Sequence, residues 1–269
     1  MDSLQFYKDQ IPPVCDLLPE RDAITFNVLK GILRERCAAT FTDHKNIVIC
    51  WSRMPFPVWI WLRDPTDDTA VEQAARCLRQ CFPLEHGHSW NLEHALLERL
   101  RQKDPYFAGA RIKMTLLSHQ LDREPAPCPP CAGSMEVASP ALIEPLTVLW
   151  HDLCLEMEGI DHEPDYCRER VQQLMAAKGL LLWRTPEGEI AGLAGRVGRI
   201  PFSRITGVYT LPQYRRQGVA RNLVTSLAAS IQADGLTPIL YTDGSYAPSN
   251  ACYRKIGFRV VGQLCTVTK

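Results

Sequence analysis

The sequence predicts a mixed α/β fold of the α+β kind in two lobes, and three observations carry that reading. Helical-period apolar stripes and short β-rich runs are interleaved along all 269 residues. A Pro-rich stretch with little apolar content breaks the pattern near the middle. The composition, 46% hydrophobic and 22% charged, is that of a globular chain with enough apolar mass for one large domain or two ordinary ones.

In the first lobe, residues 1–121, Ile24, Val28, Ile32 and Leu33 set a helical pattern over Ala23 to Cys37. Asn46 to Trp51 and Val58 to Leu62 read as paired strands around the turn Met54-Pro55-Phe56-Pro57. Helices follow near Ala70 to Cys81 and Leu92 to Lys103, then a strand at Ile112 to Leu117. Residues 122–140, with prolines at 125, 127, 129, 130 and 140, read as an interdomain linker.

The second lobe, 141–269, opens with helices over Ala141 to Glu158 and Asp165 to Lys178. Strands Leu180 to Trp183 and Ile190 to Val197 flank the turn Thr185 to Glu189, and a third strand runs from Ser203 to Leu211. Val219, Leu223, Leu227 and Ile231 then recur every fourth residue, the buried stripe of a helix stopped by Gly235. A strand at Pro238 to Thr242, a short helix between Pro248 and Gly257, and a last strand from Arg259 to Val267 complete the order.

The run Val208-Tyr209-Thr210-Leu211-Pro212-Gln213-Tyr214-Arg215-Arg216-Gln217-Gly218-Val219-Ala220 joins the third strand to that striped helix through a basic turn. A helix start carries unpaired N–H groups and the positive end of the peptide dipole, so it accepts a phosphate. Gly218 and Ala220 allow close approach, and Arg215, Arg216 and Arg221 add countercharge. Neither a Walker lysine-serine pair nor the spaced glycines of a dinucleotide fold is present.

These residues resemble motif A of the GNAT superfamily of acyl-CoA-dependent N-acetyltransferases: Arg or Gln, two residues, Gly, one residue, Gly or Ala, met here by Arg215, Gly218 and Ala220. Asn250 and Tyr253, three residues apart before Gly257-Phe258, resemble the family's pair that flanks the thioester, and this spacing puts both on one helix face. The resemblance covers roughly residues 140 to 269. It implies a central mixed twisted sheet flanked by helices, and acetyl-CoA as co-substrate without a metal. The N-terminal lobe, similar in element types and size but lacking such a motif, is expected to be a degenerate lobe of the same fold.

The resemblance also assigns roles. Main-chain N–H groups of Gln217, Gly218, Val219 and Ala220 suit the pyrophosphate, and the strand edge at Val208, Tyr209 and Thr210 suits the pantetheine amides, as an added strand pairs with a sheet edge. Asn250 orients the arm near the sulfur, and Tyr253, whose hydroxyl has an ordinary pKa of about 10, is the general acid for the thiolate. For the amine's proton, Asp243, Glu189, Glu158 and water relays are alternatives; Asp243 equally suits a cap for the turn Asp243-Gly244-Ser245. Tyr209 or Tyr246 is placed at the acceptor. The expected activity is acetyl transfer to a primary amine of a small molecule; the competing class is a non-catalytic acetyl-CoA-binding interaction module.

Composition narrows the partners. Lys plus Arg and Asp plus Glu balance at 30 each, so no global field favours nucleic acid or an anionic membrane. With no bilayer-length apolar run and no signal-peptide pattern after Met1-Asp2-Ser3-Leu4, the expectation is a cytoplasmic protein. Eleven cysteines read as mostly reduced core residues, and Cys128-Pro129-Pro130-Cys131 has no second pair to complete a metal site. His86, His88 and His94 read as a solvated loop, and Trp51, Trp59 and Trp61 as core or groove wall.

Overall fold

Two bodies of chain contacts organise the computed structural model, which describes residues 4–14, 16–34 and 39–269, without the side chains of Glu158 and Arg199. Unit 1 comprises Met1–Ser118, Thr242–Tyr246 and Val260–Lys269; unit 2 comprises His119–Tyr241 and Ala247–Arg259. No single cut in the sequence separates them.

Unit 1 runs β1 (Gln5–Tyr7), α1 (Asn27–Leu33), β2 (Ala39–Thr42), β3 (Ile47–Trp51), β4 (Val58–Leu62), α2 (Asp68–Cys81), β5 (Trp90–Leu92), α3 (His94–Lys103) and β6 (Arg111–Gln120). The remaining elements are β7 (Ser134–Val137), α4 (Ile143–Glu158), α5 (Pro164–Ala176), β8 (Leu180–Arg184), β9 (Ile190–Arg199), β10 (Phe202–Thr210), α6 (Val219–Ala233), β11 (Thr237–Asp243), α7 (Ala247–Ile256) and β12 (Arg259–Thr268). The expected helix Ala23 to Cys37 is shorter in its described part, α1, and residues 35–38 lie outside the described residues.

The strands of unit 1 lie in the order β1-β2-β3-β4-β5-β12-β6. Successive pairs from β1 to β4 are antiparallel, β4 and β5 are parallel, and β12 is antiparallel to β5 through Cys265↔Leu92, Thr266↔Asn91 and Val267↔Trp90. The apolar runs of β3 and β4 are continuous because both faces are covered. Ile47, Ile49, Val58 and Ile60 pack with α2 and α3, while Val48, Cys50, Trp59 and Trp61 pack with Phe26, Leu29 and Leu33. Trp59 and Trp61 are thus core, and the Trp61 indole N–H donates to Asp22 at 2.8 Å.

The sheet of unit 2 has the order β7-β8-β9-β10-β11, antiparallel except for the parallel β10–β11 pair. From β1 to α3, unit 1 follows a similar succession of element types, with one helix, α1, among the described residues where unit 2 has α4 and α5. On one face of the unit 2 sheet, Val219, Leu223, Val224, Leu227 and Ile231 of α6 pack with Leu181, Trp183, Ile205 and Leu240. On the other, Trp150 and Leu153 of α4 and Val171 and Leu174 of α5 pack with Leu180, Leu182, Leu193 and Tyr209. Each fully buried large apolar side chain contributes roughly 1.5–3 kcal/mol, so the stripe fixes how α6 lies on the sheet.

Residues 122–140, expected as a linker, lie within unit 2. Ser134–Val137 forms its edge strand, paired with β8 from Ser134↔Arg184 to Val137↔Leu181. Its pattern of exposed residues with one half-buried methionine left no apolar period to detect in sequence.

Candidate functional site

The site begins with a fault in β10. The β9–β10 register shifts between Thr206 and Tyr209, a bulge that holds Gly207 at φ +59°. A Cβ at Gly207 would meet the Trp150 ring at 2.5 Å, so the bulge requires glycine for both its backbone and its contact with α4. Across the strand, the parallel register with β11 runs from Phe202↔Thr237 to Arg204↔Ile239 and, among the described residues, goes no further. Beyond Arg204 the two strands part. Val208, Tyr209 and Thr210 lie in this parted stretch; the Thr210 hydroxyl oxygen is buried there with no hydrogen-bond partner among the described residues.

After β10 the chain makes a short 3-10 turn, Pro212–Tyr214, and reaches α6 through Arg215, Arg216, Gln217 and Gly218, all exposed. Arg216 has φ +64° and Gly218, the N-cap, φ +92°. Left-handed residues in a turn bring successive N–H groups to one concave side, the geometry of an anion nest. No side chain caps α6. The corresponding helix of unit 1 differs: the Asp67 carboxylate accepts from the N–H groups of Thr69 at 3.0 Å and Ala70 at 3.3 Å, so its own side chain fills the place an anion would take.

The arginines divide their work. Arg215 does not stand beside Arg216 as a free countercharge: its Nη2 pairs with Glu156 of α4 at 2.6 Å, its Nε donates to Thr210 O at 3.0 Å, and its guanidinium lies 5.7 Å from the Tyr209 ring centre. The Tyr209 hydroxyl donates to the same Glu156 oxygen at 3.2 Å, and burial followed by Glu156 pushes its pKa up. Arg221 donates to Pro127 O at 3.0 Å, and the Gln217 amide to Gln213 O at 2.9 Å. Arg216 has no ion pair among the described residues and is the cation left at the loop. Val219 is buried beneath it and Ala220 half-buried.

Asn222 organises this helix start, a role its sequence position signalled only as a polar residue inside an apolar stripe. Its amide donates to Gly218 O at 3.1 Å and to Pro129 O at 3.0 Å, and its oxygen accepts from the Cys128 thiol at 3.2 Å. The Cys128-to-Cys131 stretch is therefore laid against the first turn of α6, with both thiols free.

Asn250 and Tyr253 share one face of α7, in unit 2. Tyr253 is 7% exposed, its ring edge-on to Phe258 at 6.1 Å and to His119 at 6.4 Å. Asp243, in unit 1, accepts from the Ser245 N–H and hydroxyl, both at 2.8 Å, the geometry of a turn cap. Glu189 accepts a hydrogen bond from the Tyr214 hydroxyl, Tyr246 is exposed, and the Glu158 side chain lies outside the described residues.

His119, absent from the sequence reading, is buried beside Tyr253, and burial pushes its pKa down to about 4. Between an ordinary histidine value near 6.5 and about 4, the unfolded chain binds a proton that the folded chain refuses, so stability falls as pH falls through that window. Urea unfolding at pH 7 and pH 5 is expected to show a smaller difference for His119→Gln than for the parent; an equal difference would refute this.

The sheet order of unit 2, its bulged strand and its uncapped helix can now be set beside known proteins. Over 99% of this chain and 95% of the other, the structure superposes on a GCN5-related N-acetyltransferase from Sphaerobacter thermophilus with a TM-score of 0.68 at 14% identity. The chain has a GNAT fold. A GNAT-family acetyltransferase from Colwellia psychrerythraea gives a TM-score of 0.62 at 13% identity, over 94% of this chain and 92% of that one. A GCN5-related N-acetyltransferase from Kribbella flavida gives 0.57 at 18% identity, over 82% and 86%. Residues 186–267 match the family model described as FR47-like protein, a span holding the loop Arg215–Ala220 and the Asn250–Tyr253 pair. Comparison with curated proteins gave no match. Among the described residues, no helix is long and apolar enough to cross a membrane.

Proposed function

We propose that this protein transfers an acetyl group directly from acetyl-CoA to a primary amine of a small molecule. The observation that supports it most is the uncapped start of α6, with left-handed Arg216 and Gly218, at the end of a strand that has parted from its neighbour. The fit of a pyrophosphate is supported by the glycine itself: a Cβ at Gly218 would make ordinary contacts at 3.5 Å with Asn222 and Cys131, and without one the N–H groups carry no side chain over them at that position. Main-chain N–H groups of Gln217 to Ala220 hold the diphosphate, with Arg216 as counterion. The backbone of Val208 to Thr210, past the bulge, pairs with an amide-bearing arm as a strand would. Acetyl-CoA supplies an acyl group activated as a thioester.

Asn250 orients the arm, and Tyr253 gives its hydroxyl proton to the departing thiolate. The amine's proton leaves through a carboxylate such as Asp243 or through water. The test is thiol release from acetyl-CoA against a panel of amines and amino acids, together with calorimetry of coenzyme A. Tyr253→Phe is expected to lower kcat about tenfold to a hundredfold, within the range of general acid catalysis, while coenzyme A affinity stays within about twofold. An unchanged rate would remove Tyr253 from the chemistry. Binding of coenzyme A without turnover on any amine would favour the non-catalytic module, a reading to which the burial of Tyr253 lends some support.

A further inference from the structure

Arg204 stands where β10 and β11 part, opposite Ile239 in the last step of their parallel register. Its neighbour Ile205 and the next β11 residue, Leu240, both face α6. Strand alternation therefore turns Arg204, Ile239 and Tyr241 to the other face, the side on which Trp150 of α4 meets Gly207. There the Arg204 guanidinium lies 5.9 Å from the centre of the Tyr241 ring.

Several arginines of unit 2 are neutralised by a carboxylate. Arg168, Arg184, Arg196, Arg215 and Arg259 each pair with a carboxylate. Arg204 is half-buried, and this partial desolvation pulls its pKa below the ordinary arginine value; Tyr241 opposes the shift, and the like charge of Arg170 on α5 adds to it. Among the described residues no carboxylate forms an ion pair with Arg204. A half-buried guanidinium over an aromatic ring, paired with no carboxylate among the described residues and feeling the like charge of Arg170, is an arrangement that an anion completes.

We propose that Arg204, aided by the positive charge of Arg170 on α5, binds an anionic group on the acceptor, so that the acceptor is an amine bearing a carboxylate or a phosphate, such as an amino acid. This rests on the acetyl-transfer reading above and narrows it. The arginine supplies a planar pair of donors, and Tyr241 holds that plane from one side. Binding the anion at the closed end of the parted strands leaves the amine of a short molecule directed toward their open end, where Val208 to Thr210 lie.

The test uses the full chain, acetyl-CoA and matched acceptors: glycine against glycinamide for a carboxylate, O-phosphoethanolamine against ethanolamine for a phosphate. Glycinamide has the less basic amine and holds more of it unprotonated near neutral pH, so intrinsic reactivity alone favours the neutral member. At least one anionic acceptor is expected to exceed its neutral partner roughly tenfold or more in kcat/KM. Arg204→Gln should bring that ratio close to one, Arg204→Lys should restore part of it, and KM for acetyl-CoA should not move. Equal or better use of the neutral acceptors, or a ratio untouched by Arg204→Gln, would overturn the proposal.

A second arm needs no turnover: N-acetylglycine and N-acetylglycinamide are titrated into the parent and Arg204→Gln and followed by NMR. Saturable binding of N-acetylglycine alone, lost in the glutamine variant, supports the anion site even if no thiol is released. Absence of that preference, and of the same preference for N-acetyl-O-phosphoethanolamine over N-acetylethanolamine, while coenzyme A still binds refutes the anion site and leaves acetyl transfer standing.

Discussion

Gly218→Asp is expected to weaken coenzyme A binding about a hundredfold, which corresponds to about 3 kcal/mol, while the protein stays folded. Two causes act together. The residue sits at φ +92°, where Asp and Asn are better tolerated than other side chains, so the backbone cost is small. A Cβ there makes ordinary contacts at 3.5 Å with Asn222 and Cys131 without a clash, and the new carboxylate stands among the N–H groups proposed to hold the diphosphate. That is the condition unit 1 already shows at Asp67. Gly218→Asn supplies the neutral control with the same backbone demand, and Arg216→Glu adds negative charge without touching the cap. Calorimetry should rank the affinities parent, asparagine variant, then the two acidic variants. An aspartate variant that binds like the asparagine one would dismiss the anion cradle.

Gly207→Ala is expected to destabilise the fold by about 2 to 4 kcal/mol, combining a left-handed backbone that disfavours a Cβ with overpacking against a rigid ring. The colliding group is the Trp150 indole, 5% exposed and anchored among α4, α5 and the sheet, so it has little freedom to retreat. Urea unfolding measures the loss. The decisive comparison is the double variant Gly207→Ala with Trp150→Ala, expected to be more stable than the sum of the single changes by over about 1 kcal/mol. Strict additivity would mean that the clash is not the cause.

Which parts were legible follows from how local their causes are. The apolar stripe of α6, the turn at Thr185 to Glu189 and the glycine ending α7 are written within a few residues, and those elements lie where periodicity places them. The strands β1, β5 and β7 escaped because three or four residues cannot establish a period, and β2 because it is four residues long and buried throughout. Among site residues, the loop Arg215–Ala220 was visible since its chemistry is backbone and contiguous. Glu156 was not: its pairing with Arg215 spans 59 residues of chain and depends on how α4 lies against β10. Arg204 carried no signal either, because its setting, over the Tyr241 ring where β10 and β11 part, joins residues far apart in the chain.

The last strand sets a practical limit on how this molecule can be dissected. Leu264, Cys265 and Val267 are at most 1% exposed, all within unit 1, Thr266 donates to the buried Asn91 at 2.7 Å, and the Lys269 ammonium sits 3.4 Å from Glu85. An expression fragment beginning at residue 141 would keep β12 but discard β5, leaving an unpartnered, greasy ribbon of the kind that seeds aggregation. The reciprocal fragment would lose a staple from the middle of its own sheet. Any truncation study, domain transplant or split reporter built on this chain must therefore carry both ends of the polypeptide together.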